Sequence, residues 1–214
     1  AACWTAMVAA VASVAVATVA VQNWWQERSE TIANTAADVL LKSKVDDVME
    51  LSEAVKKDVL VPRPRLAVAL TGHLEKSAYA VVEGPRGTGK TTGVLLALCG
   101  KPGVLRVKMT NKDDACVAVA KALRMPNADT MTQTRLEDVL RKTKKAKKGE
   151  CPTIIAELVP DAKTHNFVHQ VGVLKELCVD KRLVKVVIVL SDADAAFAMP
   201  EDFARQKRIW VNDF

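Results

Sequence analysis

The rhythm of apolar and polar positions changes three times along this chain. Residues 1–26 carry no charge, and Thr5 to Val21 is mostly Ala and Val, with Trp4 and Trp24-Trp25 at its ends. Residues 27–60 are polar. There Val39, Leu40, Val45, Val48, Met49, Leu51 and Val55 recur at three- and four-residue steps, against Asp46, Asp47, Glu50, Lys56 and Lys57. That period predicts one or two amphipathic helices, a stalk or packing arm. Pro62 and Pro64 then break the pattern.

From there short apolar runs alternate with helical periods. A short helix over 65–74 is followed by a strand over 78–83, a glycine-rich stretch and a helix over 91–99. Gly100 and Pro102-Gly103 end that helix. A second strand spans 104–109, and Asn111 or Asp113 caps a helix running to about Met125. After a loop over 126–130 come a helix over 134–145, a strand over 153–158, a helix over 167–177, a Val/Ile-rich strand over 184–190 and a fifth strand over 208–211. Such alternation predicts an α/β fold, a three-layer sandwich around a parallel sheet of about five strands, with helices before it. The expected division is 1–26 as an apolar segment, 27–60 as the stalk and 61–214 as the α/β core.

Composition sharpens this. Half the residues are apolar and only 4% aromatic, which suits Val/Ile strands under Ala-rich helices. The formal charge of +6 suits a phosphate-bearing partner without demanding nucleic acid. Cys3, Cys99, Cys116, Cys151 and Cys178 form no CxxC pair, and their odd number and wide spacing point to a reducing compartment. Cys99 and Cys116 fall on apolar helix faces and are expected in the core. His165 and His169 are four apart but lack the Glu of a metalloprotease helix.

The uncharged segment is long enough to cross a bilayer as a helix, and its tryptophans suit the interfacial belts. The expectation is a single-pass anchor with the remainder in the cytosol. A buried helix, a signal-peptide remnant or a strand are the alternatives. A chain that begins with Ala and ends at Asp213-Phe214 is expected to be a fragment of something longer.

The strongest chemical signal is Gly84-Pro85-Arg86-Gly87-Thr88-Gly89-Lys90-Thr91-Thr92, which fits Gly-x4-Gly-Lys-[Ser/Thr] between a predicted strand and a predicted helix. Glycines free the backbone, successive N–H groups form an anion nest, and the helix start adds its positive end. Lys90 is placed to reach the β- and γ-phosphates of a nucleotide, and the Thr91 hydroxyl to coordinate Mg²⁺. A carboxylate at the carboxyl edge of a neighbouring strand should complete the metal and water site. Glu157, after Pro152-Thr153-Ile154-Ile155-Ala156, is preferred; Asp192, after Ser191, is the alternative. Ala156 stands where an Asp usually precedes that Glu.

These residues resemble the archaeal-type ATPases of the AAA/STAND branch of P-loop NTPases. They look most similar to the ATPase domain of Crinkler-type effector proteins. The shared pieces are Val61-Pro62-Arg63-Pro64-Arg65-Leu66, the glycine loop, Pro-Thr-Ile-Ile-Ala-Glu, Val-Ile-Val-Leu-Ser-Asp-Ala, and Ala204-Arg205-Gln206-Lys207-Arg208-Ile209-Trp210-Val211. The resemblance implies ATP with Mg²⁺, with Thr91 and Glu157 toward the metal. It places residues 61–66 near the adenine and Ser191 at the sensor-1 position. Arg205 or Arg208 could sense the γ-phosphate, although a solvated approach to a strand is the preferred reading for both. The family's C-terminal helical lid, which would follow the fifth strand, is expected to be absent.

The run Arg141-Lys142-Thr143-Lys144-Lys145-Ala146-Lys147-Lys148 lacks interleaved aromatics, so nucleic-acid stacking is unsupported. It reads as a solvated loop, with a nuclear address or contact with anionic headgroups as alternatives. Asn111-Lys112-Asp113-Asp114 spells a guanine-reading pattern but comes too early in the chain, so ATP is preferred over GTP. The leading expectation is an ATPase switch or motor, tethered to a membrane, with a protein partner or self-association. Lys90, Glu157, Ser191 and Asp192 would be its catalytic residues. A nucleotide-binding scaffold without turnover is the second reading, and a small-molecule kinase the third.

Overall fold

The computed structural model describes residues 22–23, 27–28, 30–40, 63–146, 149–159, 167–190 and 208–211. Residues 30–40 are helical (α1). Then follow α2 (Pro64–Lys76), β1 (Tyr79–Glu83), α3 (Lys90–Ala97), β2 (Val104–Thr110), α4 (Ala115–Ala122), a 3-10 turn (Ala128–Thr130) and α5 (Gln133–Ala146). β3 (Thr153–Val159), α6 (Val168–Lys175) with a π-helical turn (Glu176–Asp180), β4 (Lys185–Leu190) and β5 (Ile209–Trp210) complete the order. The strands form one parallel sheet, ordered β2-β3-β4-β1-β5.

The two-residue period of each strand sorts its side chains between two apolar layers. Ala80, Val82, Ile155, Val187 and Val189 pack with Leu66, Leu70 and Leu74 of α2 and Val94 and Leu95 of α3. Tyr79, Val81, Ile154, Ala156, Leu158, Val186 and Ile188 face the other way. They meet Val119 of α4, Leu136 and Leu140 of α5, and Val171 and Leu174 of α6. Ala33, Ala36 and Leu40 of α1 join that second layer. The connection from β1 to β2 runs toward one edge of the sheet, and those from β2 through β4 run back. Right-handed crossovers therefore place α3 on one face and α4 to α6 on the other. This is an α/β sandwich compatible with a P-loop NTPase-like arrangement.

Several local expectations shift by a few residues. The N-cap of α4 is Asp114, whose Oδ1 accepts from the N–H groups of Cys116 at 2.8 Å and Val117 at 3.1 Å. Asp113 instead closes the turn after β2, accepting from the N–H (2.6 Å) and hydroxyl (2.9 Å) of Thr110. α4 stops at Ala122, and Arg124 (φ 52) and Asn127 (φ 58) turn the chain beyond it. Because the Asp114 carboxylate satisfies two otherwise orphaned donors, Asp114→Ala should cost about 1 kcal/mol. A lower urea midpoint at unchanged m would show it.

Cys116 is buried as expected, but Cys99 is exposed, one residue past the C-cap of α3. Burial, aided by Asp114, pushes the Cys116 thiol up to about 11, and burial pushes Cys178 up to about 12. Both remain protonated at neutral pH and act as core residues.

The localisation expected from the apolar segment is not upheld. Among the described residues no helix is long and apolar enough to cross a membrane. α2 and α5 span 13 and 14 residues, short of the roughly 20 a bilayer requires. Gln22 and Asn23 are helical and exposed, and the rest of 1–26 lies outside the described residues. The placement of the chain as a membrane-tethered protein of the cytosol is thereby corrected.

Candidate functional site

At the carboxyl edge of β1 the chain enters the glycine loop. Gly84 has φ 149, Gly87 φ 86 and Gly89 φ 72, the last as the left-handed N-cap of α3. Lys90 opens α3 and is 5% exposed. Its Nζ donates to the carbonyls of Gly84 (2.7 Å) and Pro85 and lies 3.4 Å from Thr88 Oγ1. The Thr88 hydroxyl in turn donates to Pro85 O at 3.0 Å. Pro85, Arg86, Gly87 and Gly89 are exposed, Thr88 is buried, and Thr91 and Thr92 are half-buried in the first turn of α3. The ammonium is thus enclosed by loop carbonyls at the positive end of an eight-residue helix. An arriving anion could take the place of those carbonyls around it.

The start of α2 walls one side. A Cβ on Gly93 would lie 2.5 Å from Leu66 Cδ2 and 3.8 Å from Arg63 Cδ. One on Gly89 would lie 3.9 Å from Arg63 Nε. The small residues of α3 let α2 approach this closely. Of the segment expected near the adenine, Arg63 therefore stands beside the loop and Leu66 against the helix that follows it.

Two charged pairs flank it. Arg208 Nη1 donates to Glu83 Oε2 at 2.8 Å, joining the approach to β5 to the last residue of β1. Arg208 is therefore held by a carboxylate rather than solvated. Glu157 is 7% exposed and accepts two bonds from Arg106 of β2, from Nε at 2.9 Å and Nη2 at 3.2 Å. β3 continues to Val159, so Glu157 sits two residues inside its strand. Through Val189 of β4 its register is level with Val82 of β1. It shares a sheet face with Val82 and Val189, the face covered by α3, while Ala156 faces the opposite layer. With β4 between, Glu157 stands roughly 10 Å across the sheet from β1. Ser191, Asp192 and Arg205 lie outside the described residues.

The Asn-Lys-x-Asp run serves structure. Asp114 caps α4, and the carbonyls of Asn111 and Asp113 accept from buried Gln170 Nε2 at 3.0 and 2.7 Å. His169 lies 3.8 Å from Asp114, and His165 is outside the described residues. Among the described residues, no three His, Cys, Asp or Glu side chains converge as a metal cluster. The sequence reading missed Arg106 and the pairing of Glu83. Their signal was a charge within a largely apolar strand, a position that needs a partner.

No family model matches the chain, and no curated protein does. The narrower likeness to Crinkler-type ATPase domains therefore has no counterpart among them. Among solved structures, the chain is similar to one described as Drosophila ORC bound to DNA, at 15% identity and a TM-score of 0.39. The match covers 86% of this chain and 47% of that one, so the chain spans about half the length of that relative.

Proposed function

We propose that this chain binds ATP through Gly84 to Thr92, as a P-loop ATPase of the AAA/STAND type. One observation carries the reading. A loop of positive-φ glycines ends in a buried lysine whose ammonium sits inside the loop, at the start of a helix and the carboxyl edge of a parallel sheet. Such a loop offers main-chain donors and one fixed charge to a polyphosphate. Lys90 orients the terminal phosphates, and Arg63 and Leu66 border the base. Mg²⁺ suits the Thr91 hydroxyl, with Glu157 or Asp192 as the carboxylate, and would offset phosphate charge there. Calorimetric titration of the full chain with ATP and GTP, with and without Mg²⁺, tests the reading. The expected result is saturable uptake, with ATP preferred. Absence of uptake at millimolar nucleotide would end it.

A second reading, a nucleotide-binding scaffold without turnover, draws support from Glu157. Both its oxygens already accept bonds from Arg106. If Glu157 orients the attacking water, Glu157→Gln should slow hydrolysis roughly a hundredfold while affinity for ATP stays near that of the wild type. If the wild-type chain binds ATP yet hydrolyses it no faster than Lys90→Ala, the scaffold reading holds.

A further inference from the structure

On the sheet face opposite α3, α1 and α5 part to leave a cleft of about 610 Å³. Small-molecule sites typically occupy about 300 to 1,000 Å³. The lining is apolar over Ile32 and Ala33 of α1, Met125 and Met131 of the connecting loop, and Val139 of α5. The two methionines give it an adaptable surface. Its rim is cationic. Arg28, Arg135, Arg141 and Lys142 border it, against two acids, Glu30 and Asp138. Arg141 leans toward Glu137 at 3.7 Å. Arg135 and Lys142 lie seven residues apart, so the helical repeat aligns them on one stripe of α5, with Asp138 and Val139 between. The basic run read from the sequence as a solvated loop thus begins on a helix and contributes two side chains to this cleft.

We propose that the cleft binds a small anionic amphiphile, an apolar body carrying one carboxylate, sulfonate or phosphate head. The body lies on Ile32, Met125, Met131 and Val139. The head lies on the rim, where Arg28, Arg135, Arg141 and Lys142 outnumber Glu30 and Asp138 and where charge-assisted bonds are stronger than neutral ones. This site is separate from the glycine loop. Ala33, Met125 and Val139 belong to one apolar layer, and α3 packs into the other. The proposal does not depend on nucleotide binding.

The test uses the full chain and a dansyl-labelled undecanoic acid, compared with its uncharged methyl ester. The acid should bind saturably, and the ester roughly tenfold more weakly. Arg135→Glu with Lys142→Glu should weaken the acid roughly tenfold and leave the ester unchanged. Ala33→Trp, which fills the cleft, should weaken both ligands. Thermal midpoints of the variants establish that they are folded; an unfolded charge reversal is replaced by Lys142→Gln alone, and an unfolded Ala33→Trp by Ile32→Trp. Equal affinity for acid and ester, indifference to the charge reversals, or displacement of the acid by ATP would each overturn the proposal. The last of these would place the anion in the glycine loop instead.

Discussion

Replacing Lys90 by alanine is expected to weaken ATP binding by roughly a hundredfold, the size of effect that follows from losing charge-assisted bonds in an enclosed site. The Lys90 ammonium is already oriented within the loop, bonded to the Gly84 carbonyl and to that of Pro85. Its side chain is 5% exposed, so water screens it little. Lys90→Arg should fail to restore binding. It keeps the charge, but its planar fork does not fit a space shaped around a tetrahedral ammonium. Calorimetry on both variants checks this, with thermal midpoints to show that the sheet persists. Unchanged affinity in Lys90→Ala would mean that nucleotide binds elsewhere.

Gly84→Ala is expected to act on stability as well as binding. The native φ of 149 is one that L side chains rarely adopt. A methyl group there would also stand 2.2 Å from the carbonyl oxygen of Val211. That carbonyl cannot easily retreat, because the Val211 N–H donates to Glu83 O at 2.8 Å and β5 is paired to β1. Strain and clash together predict a loss of about 3 kcal/mol and an opened loop that no longer takes up ATP. Gly87→Ala supplies the contrast. Its φ of 86 is also left-handed, but nothing lies within 4 Å of the added carbon. Only strain remains there, so the cost should be about 1 kcal/mol. Urea unfolding of the two variants separates clash from strain. Equal losses would mean that the Val211 contact is not what excludes a side chain at Gly84.

Most elements were legible because their signals are local. The Val/Ile runs at 78–83, 153–158 and 184–190 are strands, and the glycine loop lies between a strand and a helix, as its pattern requires. What sequence could not give is which side chains meet across the sheet. Strand order puts Glu157 beside Arg106 and brings Arg208 to Glu83, and neither pairing leaves a trace in spacing. The cap of α4 shows a smaller version of this limit. Asn111, Asp113 and Asp114 are all competent caps, and the turn that ends β2 takes Asp113 and leaves Asp114 for the helix. Cys99 shows another: a helix ending at Ala97 leaves it on the surface, although its apolar neighbours suggested the core.

The strand that delivers the glycine loop has β4 on one side and β5 on the other, both encoded far downstream. A ribosome therefore releases Gly84 to Thr92 well before either flank exists. Until Lys185–Leu190 and Ile209–Trp210 emerge, Val81 and Val82 are bare edges, and the Val211 that bounds Gly84 is still unmade. Such long-range pairing is slow to form and leaves apolar strands open to wrong partners meanwhile. A nucleotide that binds only the finished loop cannot protect the nascent chain. If ATP binds there as proposed, it could hold the structure only once the last strand has paired with β1.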